Sequence, residues 1–147
     1  MTFVENQDDA EEWRRAVQPN TKLFFAETIG NPKINVLDIR TVADVAHEAG
    51  VPLIVDNTIA TPYLIRPFEH GADIVVHSAT KFLGGHGTVI GGVIVDGGTF
   101  PWTEHAERFP GLTTPDPSYH GAVYTQAVGD PLAYVIKAVS YTHLRAH

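Results

Sequence analysis

The chain has 147 residues, 44% of them hydrophobic, no cysteine, and a formal charge of −7 from 10 basic and 17 acidic side chains. That length bounds one modest core, the missing cysteines exclude disulfides, and acidity without a basic cluster argues against a nucleic-acid partner. No uncharged apolar run is long enough to span a bilayer, and Met1 leads into a polar, acidic segment rather than a secretory signal, so a cytoplasmic chain with no membrane contact is expected.

In chain order, Asp8 to Val17 reads as a short amphipathic helix and Lys22 to Ala26 as a buried strand. Leu37 to Ala49 carries a helical apolar period and is closed by Gly50, a residue that tolerates the left-handed backbone of a helix end. Pro52 opens the apolar run Val51-Pro52-Leu53-Ile54-Val55, which stops at Asp56; Ala72-Asp73-Ile74-Val75-Val76 and Gly92 to Val95 supply two more strands. Strands that alternate with helices and read as near-continuous apolar runs predict an α/β fold with a mainly parallel sheet covered on both faces. The Gly/Pro-rich stretch from Gly97 to Pro117 reads as a long functional loop, and no repeat or low-complexity tract interrupts the chain.

The chemistry concentrates where two of those strands end. Asp56 sits at the end of one apolar run, and His77-Ser78-Ala79-Thr80-Lys81 follows the next, with Lys81 placed 25 positions after Asp56. Taken singly, Asp56-Asn57 is more often a turn or helix cap, and a lone lysine is more often a solvated surface charge. Together, a carboxylate, two hydroxyls and an amine match what pyridoxal phosphate asks of a protein: a partner for its pyridine nitrogen, donors for its phosphate and an amine for its aldehyde. Ser78 and Thr80 alternate around Ala79, so both hydroxyls can face one phosphate. Gly84-Gly85-His86-Gly87 then lets backbone approach a bulky ligand.

The eight histidines raise the alternative of a metal site. No two of them show i, i+4 spacing within an expected helix, and there are no cysteines to complete a zinc tetrad, so no metal is expected. His77 reads as a strand-end packing residue and His86 as a loop residue; Tyr119 and His120 are equally loop anchors or walls of a site.

Glu27-Thr28-Ile29-Gly30-Asn31-Pro32, Val55-Asp56-Asn57-Thr58 and Ser78-Ala79-Thr80-Lys81-Phe82 together resemble the Cys/Met-metabolism group of fold-type I pyridoxal-phosphate enzymes, in both order and spacing. The resemblance implies the large, mainly parallel seven-stranded-sheet domain of that fold. It further implies that Lys81 is the Schiff-base lysine, Asp56 the partner of the pyridine nitrogen, Ser78 and Thr80 phosphate ligands, and Asn31 a contact for the cofactor hydroxyl and the substrate carboxylate. Within the group, the segment from Gly84 to Gly98 and the runs Phe109 to Leu112 and Pro115 to Gly121 resemble O-acetylhomoserine sulfhydrylases. Cystathionine γ-synthases, cystathionine γ-lyases and methionine γ-lyases are the runner-up subfamilies.

The implied reaction exchanges the acetate of O-acetyl-L-homoserine for sulfide or a small thiol, giving homocysteine or methionine, with Lys81 moving protons as general base and acid. Members of the group are longer, so residues 1–138 are expected to be part of the cofactor-binding domain, with an unpaired sheet edge and exposed apolar surface. The parent is expected to be a homodimer or homotetramer. Residues 139–147 no longer resemble the group and read as a non-native or divergent tail. The non-enzymatic alternative is a truncated, inactive piece that pairs through its open sheet edge with a full-length homologue.

Overall fold

The structure, a computed structural model, describes residues 1–143. The chain divides into two compact units, Met1–Val95 and Asp96–His147.

In the first unit, helix α1 (Ala10–Ala16) starts at Asp9, whose side chain accepts the Glu11 N–H, so one of the unpaired donors of the helix start is satisfied. Its only buried residue, Trp13, packs its ring 5.2 Å from that of Phe24. Helix α2 (Ile39–Glu48) is capped in the same way by Asp38, which accepts from Thr41 N–H. Its face of Ile39, Val42, Ala43, Val45 and Ala46 is buried. Gly50 follows at φ +67°, the left-handed conformation expected of a residue that closes a helix. The Arg14 guanidinium bonds Glu48 and so ties α1 to α2.

The sheet is built from β1 (Phe24–Glu27), β2 (Leu53–Asp56), β3 (Ile74–Ser78) and β4 (Gly92–Asp96) in the spatial order β1-β2-β3-β4. The β1–β2 and β2–β3 pairs are parallel, with Glu27 opposite Asp56 and Asp56 opposite Val76. A parallel ladder needs a crossover between each pair of strands, and α2 supplies the one between β1 and β2. Val51, Leu53 and Val55 are fully buried beneath it. Between β2 and β3 run a short helix, α3 (Thr61–Leu64), and a 3-10 turn, Pro67–His70.

Two expectations are corrected here. β1 begins two residues later than expected and is not buried throughout: Phe25 is 54% exposed on the open side of the sheet. Nor is the sheet covered on both faces, because Val93, Ile94 and Val95 of β4 are all exposed, although successive side chains of a strand point to opposite faces. This is the bare apolar surface expected of part of a larger domain.

In the second unit, the stretch expected as a loop from Gly97 to Pro117 is turns and irregular chain apart from one short helix, and it packs around an aromatic cluster. The Trp102 ring meets Phe109 edge-on at 4.9 Å and stacks on Tyr134 at 5.9 Å, with Phe100 4.7 Å from Trp102. Helix α6 (Asp130–His143) supplies Tyr134 to it, and α4 (Pro110–Thr113) and α5 (Tyr124–Val128) pack against α6. Within this unit, the carboxylate of Asp116 accepts from the Ser118 N–H and hydroxyl, the Tyr124 hydroxyl and the Lys137 ammonium, and the residue is 7% exposed. These donors, that of Ser118 foremost, hold its pKa down at about 2. Residues 139–143 of the expected tail continue α6, and residues 144–147 lie outside the described residues.

Candidate active site

β1, β2 and β3 run parallel, so their carboxyl ends share one edge, where ligands gather in open α/β sheets. Glu27, Asp56 and Ser78 end the three strands. The sequence therefore brings Asp56 and Ser78 to one edge by ending two adjacent strands within two residues of register, although 22 residues separate them.

The arrangement at that edge is held by hydrogen bonds. Asp56 Oδ1 accepts from the Thr58 N–H at 2.9 Å and from the Thr58 hydroxyl at 2.5 Å. The Ser78 N–H donates to Thr58 Oγ1 at 2.8 Å. Beneath them, the buried Thr28 hydroxyl donates to Asn57 Oδ1 at 2.9 Å, and Asn57 Nδ2 donates to the Ile65 carbonyl at 3.0 Å. Asn57 is wholly buried, so this pair joins the ends of β1 and β2 below the exposed layer.

After Ser78 the chain enters a short helical segment, Ala79–Leu83, that is broken at Lys81, where φ −90° and ψ −120° leave the helical region. Lys81 is exposed, and its amine has no partner among the described residues. The Thr80 hydroxyl is engaged: it donates to the Gly91 carbonyl at 3.3 Å and accepts the Gly91 N–H at 3.0 Å. Asn31 is exposed; its N–H donates to Glu27 Oε2 at 2.9 Å, which tethers it to the end of β1. His77 is buried, as a strand-end packing residue should be, and its Nδ1 meets no partner among the described residues. His86 lies in the exposed segment after Lys81.

The free donors and acceptors suit pyridoxal phosphate. Asp56 Oδ2, the Ser78 hydroxyl and the Lys81 amine are each without a hydrogen-bond partner among the described residues, and a carboxylate, a hydroxyl and an amine are the group types that such a cofactor asks for. Among the described residues no three His, Cys, Asp or Glu side chains gather in a metal-binding array. A cavity of about 740 Å³ lies beside β1, lined by residues that include Trp13, Phe24, Phe25, Glu27 and Asn31; it does not include Asp56, Ser78 or Lys81.

Thr58 and Glu27 are the residues that sequence reasoning did not single out. Both lie inside the motifs Val55-Asp56-Asn57-Thr58 and Glu27-Thr28-Ile29-Gly30-Asn31-Pro32. Their roles depend on hydrogen bonds to other parts of the fold, which spacing alone does not show.

A family model described as Cys/Met metabolism PLP-dependent enzyme matches residues 1–131. The O-acetyl-L-homoserine sulfhydrylase of Leptospira meyeri is 52% identical over 143 residues, covering 92% of this chain and 32% of its own. The protein of the same name from Corynebacterium glutamicum is 58% identical over 127 residues, covering 84% of this chain and 29% of its own. A solved structure from Campylobacter jejuni, described as an O-acetylhomoserine (thiol)-lyase with N'-pyridoxyl-lysine-5'-monophosphate in its chain, matches with a TM-score of 0.75. It is 37% identical, covering 80% of this chain and 29% of that one. The chain thus spans about a third of the length of the curated relatives it matches.

Proposed function

The chain belongs to the Cys/Met metabolism PLP-dependent enzymes, and on that footing we propose that it is the cofactor-holding part of an O-acetylhomoserine sulfhydrylase. One observation carries the reading: an amine, a carboxylate oxygen and a hydroxyl without partners among the described residues stand on Lys81, Asp56 and Ser78, at or just beyond the shared carboxyl edge of β2 and β3.

Pyridoxal phosphate, when bound, supplies an electron sink for charge that develops beside the substrate amino group. Asp56 would turn Oδ2 toward the ring nitrogen and keep a proton there. Ser78 would offer its hydroxyl to the phosphate, and Thr80 would join it by giving up its bond to the Gly91 carbonyl. Asn31, tethered through Glu27, is assigned to the cofactor hydroxyl and the substrate carboxylate. The Lys81 amine would bind the cofactor aldehyde and would serve as the base and acid that takes and returns protons at the α and β carbons of the substrate. In the net reaction a carbon–oxygen bond of O-acetyl-L-homoserine breaks, acetate departs, and a carbon–sulfur bond forms to sulfide or a small thiol. The products are homocysteine or the corresponding thioether.

The reading places the parent in the cytoplasm as a homodimer or homotetramer that acts on small molecules and not on nucleic acid or membranes. Residues 1–138 would form part of its cofactor-binding domain. Incubation with pyridoxal phosphate, borohydride reduction and peptide mapping test this proposal: the pyridoxyl label is expected on Lys81 and absent from Lys81→Ala. Label spread over surface lysines, or retained in Lys81→Ala, overturns it.

A further inference from the structure

The end of the β2–β3 ladder departs from regular pairing in an informative way. In a parallel ladder, a residue's N–H and C=O bond to two flanking residues of the neighbouring strand. Asn57 N–H follows this rule and donates to the Val76 carbonyl at 2.9 Å, so the next regular bond would run from the Ser78 N–H to the Asn57 carbonyl. That carbonyl is instead taken by the Thr61 N–H at 2.9 Å, where the chain turns with Thr61 at φ +59°. The half-buried Ser78 would then hold an unpaired N–H, a costly state. The Thr58 hydroxyl meets it at 2.8 Å.

That hydroxyl has one proton, and it goes to Asp56 Oδ1. The polarity is therefore fixed along the series: Ser78 N–H to Thr58 Oγ1, and Thr58 O–H to Asp56 Oδ1. Thr58 N–H donates to the same oxygen. Oδ1 is engaged twice and Oδ2 not at all among the described residues, so the carboxylate is held with one oxygen inward and one outward.

We infer that Thr58 is a positioning residue: its hydroxyl replaces the missing rung between β2 and β3 and thereby fixes both the Asp56 carboxylate and the start of the Ser78–Lys81 segment. The inference rests on the cofactor reading only for what Oδ2 faces, namely a protonated pyridine nitrogen. Two features of the side chain are required, an acceptor for Ser78 N–H and a donor for Oδ1. Serine keeps both. Valine matches threonine in shape and lacks both.

The test uses the whole chain with Thr58→Val and Thr58→Ser. Without cofactor, amide hydrogen exchange at Ser78 is expected to be protected in the unsubstituted chain, to speed up about tenfold or more in Thr58→Val, and to stay within about twofold in Thr58→Ser. With pyridoxal phosphate, Thr58→Val is expected to weaken binding by about tenfold and to move the pH at which the cofactor absorbance changes, while Thr58→Ser restores both. An unprotected Ser78 amide in the unsubstituted chain overturns the inference even if Thr58→Val does not fold. So does equal protection in Thr58→Val and Thr58→Ser. Should the Ser78 pattern appear as expected while no variant binds pyridoxal phosphate or labels at Lys81, the bridge stands and the cofactor reading fails.

Discussion

The buried pair of Thr28 and Asn57 gives a quantitative test of how the site edge is held. Thr28→Val removes the hydroxyl that donates to Asn57 Oδ1 and leaves that oxygen without its donor at a position with no solvent exposure. An unsatisfied buried polar group costs about 1–3 kcal/mol, so a loss of about 2 kcal/mol is expected. Asn57→Leu strands both the Thr28 hydroxyl and the Ile65 carbonyl and is expected to cost more, about 3 kcal/mol. The double variant removes both members of the Thr28–Asn57 bond and is expected to fall short of the sum by about 1–2 kcal/mol. Urea unfolding measures this, in a Trp102→Phe background so that Trp13 reports on the first unit. With a slope of about 2 kcal/mol per molar urea, Thr28→Val should lower the midpoint by about 1 M. A midpoint unchanged by Thr28→Val, or strictly additive losses, would refute the claim that this bond joins β1 to β2 beneath the site.

Other consequences are measurable at positions remote from that pair. The His47 imidazole bonds the buried Asp73 carboxylate at 2.9 Å, which raises its pKa above the ordinary 6.5. Its stabilisation is therefore fully present below about pH 6.5 and is lost as pH rises through the higher folded value. The urea midpoint should fall across that window in the unsubstituted chain and stay flat in His47→Gln. Asp116 has the opposite sign: its pKa is lowered from 3.8 to about 2, so its contribution is present above the ordinary carboxylate range and is lost as pH falls toward 2. Near-ultraviolet dichroism of the aromatic cluster should show that acid transition, and Asp116→Asn should remove its pH dependence. Leu53→Ala, at a fully buried β2 position, is expected to cost about 2–5 kcal/mol by thermal or urea unfolding, against little change for Leu64→Ala on the exposed face of α3.

Local signals explain which elements were legible. α2 carried a helical apolar stripe and a closing glycine, each acting over a few residues, and its expected span of Leu37 to Ala49 brackets the observed Ile39–Glu48. Asp56 was placed at a strand end because an apolar run stops just before it, and Lys81 shortly after the next run, which stops at Val76. Burial of β1 was not legible, since Phe25 has the same sequence character whether or not a neighbour covers it. The packing of the loop after Gly97 was not legible because Phe100, Trp102, Phe109 and Leu112, whose rings and side chains converge there, follow no regular period. Thr58 escaped notice for another reason: its bond to Ser78 spans 20 residues and substitutes a side chain for backbone, a choice made only when the strands are already side by side.

The sheet carries an aspartate near each end of its strands, and the two differ in chemical addressability. Asp73, just before β3, is 3% exposed and gives one carboxylate oxygen to both the Leu53 N–H and His47. Asp56, at the far end of β2, is half-buried and keeps Oδ2 uncommitted among the described residues. A carboxylate-directed reagent would thus read direction along the strands, modifying one pole and sparing the other, although the residue type is the same. Transplanting the reactive pole into another parallel sheet would require more than an aspartate at a strand end: the recipient must also supply a hydroxyl two residues later and an orphaned amide on the adjacent strand.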